Sequence, residues 1–191
     1  NNPTAEQVYR GGYLVAENGE MLPVDETRRP IELRSSMNIQ WDSLDLSIPA
    51  SGTRIRVIGS IPDQLVTEHR IMNVRATGDT IESDISRDML KMVVVERHRA
   101  TGNIGKGFIQ GIGLKSGAVS GTVAHDHHNL VAIGADDASM LTAIHAVEKM
   151  RGGLVVASGE HILASLPLPV AGLMSDQPIE QVRARMDQLL G

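Results

Sequence analysis

Residues 118–151, AVSGTVAHDHHNLVAIGADDASMLTAIHAVEKMR, change character three times in one short run. Residues 118–124 are apolar and β-leaning, residues 130–133 are apolar again, and between them stand His125, Asp126, His127, His128 and Asn129. Two apolar runs of strand length around a polar cluster predict that the cluster sits where one strand ends and the next begins, a usual place for function. From 137 to 151 the period lengthens. Met140, Leu141, Ile144, Val147 and Met150 recur at helical spacing and give one apolar face. Asp136 is placed to cap the N-terminus of this helix, Lys149 and Arg151 suit its C-terminal dipole, and Gly152 ends it.

Downstream, residues 154–157 read as a buried strand, Ser158, Gly159 and Glu160 as a tight turn, and residues 161–166 as the return strand, ended by Pro167 and Pro169. A second amphipathic helix is predicted over 178–190, with Ile179, Val182, Met186, Leu189 and Leu190 as its stripe and Pro178 in its first turn. Upstream, MLKMVVVER (89–97) fits a strand buried on both faces. Residues 53–61 alternate Ile55 and Val57 against Arg54 and Arg56, and residues 65–76 alternate around Ile71 and Val74, so both read as half-buried strands; Gly78 and Asp79 form a turn. Residues 27–51 predict a connector with two short strands, one around Ile31 and Leu33 and one around Leu44, Leu46 and Ile48. At the N-terminus, residues 8–16 and Met21–Leu22 flank Asn18-Gly19 as a hairpin, too little to be stable unless it completes a larger sheet. The fold class is α+β, with mixed or antiparallel sheets and two flanking amphipathic helices, preceded by a β-hairpin.

Composition narrows the function classes. Aromatics are 2% of the 191 residues, so the core is aliphatic and base-stacking platforms are disfavoured. A net charge of −5 with no basic run predicts no nucleic-acid partner. No apolar run approaches the ~20 residues that cross a bilayer, and the first residues lack a signal-peptide profile. With no cysteine, disulfides, thiolate metal sites and a cysteine nucleophile are excluded, and a cytoplasmic protein is expected.

The polar cluster admits two readings. Asp126 and Asn129 can cap backbone amides in Asx-type turns, with the imidazoles bonding the loop. Alternatively the cluster is a functional polar site. On an extended segment His125 and His127 would face one way and Asp126 and His128 the other, and His-x-His at a strand end is a metal-binding pattern, which makes His125 and His127 the candidate ligands. Glu96-Arg97-His98 can hold a general base at a strand end or a surface ion pair. Glycines 105, 107, 111, 113, 117 and 121 match neither a phosphate loop nor a dinucleotide fingerprint and imply close packing or bulges between strands. Lys106 and Lys115 are expected to be solvated, His145 to pack within its helix, and His69 and His161 to lie in strands without partners.

Two long blocks, residues 96–144 and 152–176, closely resemble the C-terminal region of bacterial adenine deaminase, of the amidohydrolase superfamily. VYRGGYLVAENGEML (8–22) resembles the returning strands of that superfamily's small β-domain. The resemblance implies residues 1–30 as part of the β-domain and 31–191 as the C-terminal domain, apparently truncated and without the catalytic barrel. It implies conversion of adenine and water to hypoxanthine and ammonia by a hydroxide on manganese or iron, with those metals held elsewhere and none bound tightly here. The expected partners are the barrel, adenine in the full enzyme and further copies of the chain. The family pattern in the loop is His-Asp-small-His-Asn: His125, Asp126, His128 and Asn129 match, while His127 stands where serine is usual. No catalytic residue is expected in this stretch of chain, which would be inert alone; His125, Asp126, His128, Asn129, Glu96 and His98 are the candidates for a substrate loop. A stand-alone purine or small-ligand module and a purely structural oligomerisation domain are the alternatives.

Overall fold

The computed structural model describes residues 4–23, 32 and 34–191. Its contacts divide the chain into Asn1–Glu32 and Leu33–Gly191. The first unit is a three-stranded antiparallel sheet, β1 (Gln7–Arg10), β2 (Tyr13–Glu17) and β3 (Glu20–Met21). The sequence pattern predicts one strand across 8–16, but Gly11 and Gly12 both take positive φ, 56° and 86°, and fold it into a two-residue hairpin turn before the Asn18-Gly19 turn.

The second unit is built on an eight-stranded sheet in the order β11-β10-β8-β9-β6-β7-β4-β5. Its strands are β4 (Arg54–Ser60), β5 (Thr67–Asn73), β6 (Met89–Val95), β7 (Ile104–Gln110), β8 (Ala118–Gly121), β9 (Leu130–Gly134), β10 (Gly153–Ser158) and β11 (His161–Pro167). All neighbours are antiparallel except β4 and β7, which makes the sheet mixed. With helices α1 (Asp137–Lys149) and α2 (Ile179–Leu190), the fold is the α+β arrangement that the sequence pattern implies.

One face of the sheet is closed. Helix α1 rests on β8, β9 and β10 because small residues lie beneath it: Ala118, Ala132 and Ala157 are buried, and a Cβ on Gly134 would collide with Met140 Cγ. The Asp136 carboxylate accepts the Ser139 amide at 2.8 Å and so caps the helix as expected. Beside α1, Met37 and Leu46 from the preceding segment fill the same core, and Val57, Val74, Ile81, Met89 and Phe108 form a second cluster. The opposite face is less covered. Helix α2 packs by β11, with Val182, Met186 and Leu189 half-buried and Ile179 and Leu190 exposed.

Several expectations change. No strand forms across Leu44, Leu46 and Ile48; a 3-10 turn at Trp41–Ser43 and a single bridge from Pro49 to Thr80 stand there, although Leu46 is buried as its alternation implies. Ile31 and Leu33 lie outside the described residues. On β5 the side chains turned inward are Arg70 and Met72, and Ile71 is exposed, because the strand's register sets it opposite Arg56 on the solvent side. Pro167 is the last residue of β11, an edge strand with no outer neighbour to demand its missing N–H. Pro178 is the N-cap of α2, not a first-turn residue. His145 is exposed and stacks on Trp41, with ring centroids 4.6 Å apart. Lys106 is paired with Asp45 at 2.9 Å; that hydrogen bond, with those from the Ser47 amide and hydroxyl, holds the Asp45 carboxyl well below the usual carboxylate range.

Candidate functional site

At one end of the sheet, β6 and β8 run out while β9 and β10 begin, so the segments joining them meet. The strand reading of the flanking runs holds, but residues 125–127 form a turn rather than an extended segment. His128 adopts φ of 46° and its amide donates to the Ala124 carbonyl at 2.6 Å. Alternation of side chains therefore fails here. His125 comes together with His128, ring centroids 5.5 Å apart and edge-on, instead of with His127.

The loop is bonded by His127 rather than by Asp126 or Asn129. The Asn129 amide donates to His127 Nδ1 at 3.0 Å, so this nitrogen keeps its lone pair and the ring's N–H is at Nε2. A short hydroxyl side chain at position 127 could accept the same amide, as serine does in ST-turns. The Nδ1 of His128 and Oδ1 of Asn129 are buried and without a partner. Left-handed backbone at a non-glycine residue and unpaired buried polar atoms both cost free energy, so the surroundings must impose this conformation.

Arg97 imposes it. Its side chain continues the inward alternation of β6 past Val93 and Val95 and is 1% exposed. Arg97 Nε donates to the His128 carbonyl at 2.6 Å, Nη1 to the carbonyl and hydroxyl of Ser36 at 3.0 and 2.7 Å, and Nη2 to the Ala171 carbonyl at 3.0 Å. These acceptors are all neutral. Burial lowers the guanidinium's pKa, yet arginine stays cationic in proteins. A Cβ on Gly172 would press on the guanidinium, so glycine there leaves it room. The next residue joins in: His98 Nε2 donates to the His127 carbonyl at 3.0 Å, and Asn38 Nδ2 donates to the His98 carbonyl at 3.0 Å. Consecutive residues leaving β6 thus hold consecutive carbonyls of the histidine loop.

The structure brings Arg97 and His98 to the loop but gives Glu96 different work. Glu96 accepts the amides of His98, Arg99 and Thr101 and the Thr101 hydroxyl. Burial works to raise its pKa, but the hydrogen bonds of Thr101, His98 and Arg99 outweigh it and hold the carboxyl at about 2. Such a carboxylate is a turn-former and a poor proton acceptor at neutral pH. Its hydrogen bonds run to the turn at residues 98–101, and among the described residues it makes no ion pair with Arg97.

His125 and His127 border an open groove of about 490 Å³. Met92, Val119, Val131 and Val156 line its floor, and Met186 and Leu189 of α2 form one wall. An apolar floor with imidazoles at its margin suits a flat heteroaromatic ring, to which the His127 Nε2–H offers a donor. A larger groove of about 860 Å³, lined by Arg75, Glu82, Asp84 and Arg87 among others, shares no residue with this cluster. Its Arg87 is committed to Asp84 and the Asn73 carbonyl. Among the described residues no three His, Asp or Glu side chains gather to hold a metal ion, and His125 and His127 alone do not make such a site.

The family model for the adenine deaminase C-terminal domain matches residues 64–190, from just before β5 to the last residue of α2. The chain belongs to this family. The adenine deaminase of Desulfatibacillum aliphaticivorans is 48% identical over 185 residues, 97% of this chain and 32% of that protein. An adenine deaminase from Dehalococcoides mccartyi is 43% identical over 190 residues, 99% of this chain and 33% of its own length. Adenine deaminase 2 of Carboxydothermus hydrogenoformans is 42% identical over 187 residues, 95% of this chain and 32% of that protein. The chain thus spans about a third of the length of these curated relatives. No helix among its described residues is long and apolar enough to cross a membrane.

Proposed function

We propose that this domain completes and supports the active site of an adenine deaminase, which converts adenine and water to hypoxanthine and ammonia, and that it turns over nothing alone. The carrying observation is the clamp on the histidine loop: Arg97 and His98 bond the carbonyls of His128 and His127 and fix the loop in a costly conformation, within a chain of this family. A conformation held at such cost is preorganisation for contact. His125 and His127 at the groove, with Asp126, His128 and Asn129 in the same turn, form the loop that would meet a purine edge. Ring nitrogens of adenine accept hydrogen bonds, and the His127 Nε2–H supplies one. The manganese or iron that would activate water is to be held by the part of the full enzyme that this chain does not span, and a cytoplasmic setting fits the absence of cysteine.

The test is adenine turnover with added manganese or ferrous iron, followed by absorbance, for this chain alone and for a full-length adenine deaminase carrying it. The chain alone is expected to be inactive. In the full-length enzyme His125→Ala or Asp126→Ala should lower kcat/KM at least tenfold with little change in melting temperature. Metal-dependent turnover by the chain alone, or parallel loss of stability and activity in both variants, would refute the proposal.

A further inference from the structure

The sheet's open face has the composition of a covered one. Cross-strand register sets Val156, Val119, Ile133, Met92 and Gly107 side by side across β10, β8, β9, β6 and β7. One row on, Leu154, Gly121, Val131, Val94 and Gly105 are aligned in the same way. Neither row contains a charged or polar side chain, and none of its aliphatic residues is fully buried. Strands apolar on both faces belong inside a protein, and a continuous aliphatic patch of this breadth marks an interaction surface. Helix α2 packs along β11 at the edge of this face, and its Met186 and Leu189 line one side of the groove.

The two glycines on β7 sharpen the point. A Cβ on Gly107 would meet nothing within 4 Å, and one on Gly105 would meet only Val94 at ordinary contact distance. Neither has positive φ, so neither the backbone nor this domain's own packing calls for glycine there. Glycine inside a strand weakens it unless another surface comes close.

We infer that this face is the docking surface for the remainder of an adenine deaminase, the two thirds of the relatives' length that this chain does not span. The occupant follows from continuity: His125 and His127 border the same groove as Met92, Val119 and Val131, so whatever covers the face also meets the histidine loop. This rests on the proposed function, in which the loop serves the catalytic portion. A second copy of the chain would cover the aliphatic rows equally well but would bring no reaction to the loop.

Gly107→Arg tests it, because the substitution fits the isolated chain and obstructs only an approaching surface. The chain alone should melt as the wild type does. In a full-length adenine deaminase carrying this domain, Gly107→Arg should split one melting transition into two, expose the domain junction to limited proteolysis and lower adenine turnover at least tenfold. A full-length variant that melts, resists protease and turns over like the wild type would overturn the inference. So would a variant that only shifts sedimentation from oligomer to protomer with the domains still melting together, since that outcome assigns the face to a second copy. Gly105→Arg, one row on along β7 and outside the groove's lining, repeats the test against the same wild-type controls and should act in the same direction. His125→Ala separates the two proposals: full turnover in that variant, beside domain separation in Gly107→Arg, leaves the docking face standing and removes the loop from the reaction.

Discussion

Replacing Arg97 by methionine should destabilise the domain by about 3 kcal/mol, a net of opposing terms. The guanidinium donates to the carbonyls of His128, Ser36 and Ala171 and to the Ser36 hydroxyl. Hydrogen bonds from a charged donor each contribute about 1.5–3 kcal/mol net. Against this stands the several kcal/mol spent in taking a cation out of water, which methionine does not incur. The acceptors decide the sign. They belong to three segments that converge on a side chain 1% exposed to solvent, so water cannot easily replace the lost donor. For a chain of this length a 3 kcal/mol loss lowers the melting temperature by roughly 6–12 °C. Urea unfolding of the two proteins, followed by far-UV circular dichroism, measures it. Arg97→Lys is the sharper control, because one ammonium cannot occupy the positions of three guanidinium nitrogens. A loss under about 1 kcal/mol for methionine, or near wild-type stability for lysine, would refute the reasoning.

Lys91 is equally buried, yet its partners Asp137 and Glu82 keep 39% and 45% of their side-chain surface in water, so Lys91→Met should change stability by less than about 1 kcal/mol in the same urea assay. Glu96, held at about 2 against an ordinary 4.5, favours the folded state fully above pH 4.5 and loses that contribution as pH falls toward 2. The stability difference between wild type and Glu96→Gln, from urea titrations at several pH values, should therefore be widest near neutrality and shrink across that window; a difference independent of pH contradicts the assignment. Gly134→Ala should cost about 2 kcal/mol by overpacking against Met140. Adding Met140→Ala should recover part of it, which a double-mutant cycle reads as non-additivity. Asp136→Ala should cost about 1 kcal/mol as a lost helix cap, seen in the thermal midpoint.

Helix α1 was legible because period, cap and stop agree at one place, and β8 and β9 because each is a short apolar run bounded by polar residues. The Gly11-Gly12 turn was hidden by the continuous β-leaning composition on either side of it. Residues 44–48 carried a strand's alternation without a neighbouring strand to pair with, and alternation reports burial rather than hydrogen bonding. At the candidate site, composition singled out the segment between β8 and β9, but alternation assigned its side chains wrongly, since a turn has no period of two. The clamp was written more plainly than it reads: Lys91, Val93, Val95 and Arg97 occupy every second position of one strand, so the valines' burial implies that of both cations. What no local pattern could supply was the partner of Arg97, because Ser36 and Ala171 are 61 and 74 residues away.

Strand β6 joins the two surfaces on which the functional reading depends. Its inward residues end in Arg97, which fixes the histidine loop through the His128 carbonyl, and its outward residues Met92 and Val94 stand in the middle of the open aliphatic rows. A partner seated on those rows therefore presses on the same strand that sets the loop. Because β6 is hydrogen-bonded on both sides, to β7 and β9, it cannot shift alone, and the loop keeps its geometry whether or not the face is covered. The domain then acts as a rigid carrier, with the loop formed before docking rather than by it. Amide hydrogen exchange at residues 124–129 in the isolated chain checks this: protection there equal to that in a full-length enzyme supports a preformed loop, and protection that arises only in the full-length enzyme contradicts it.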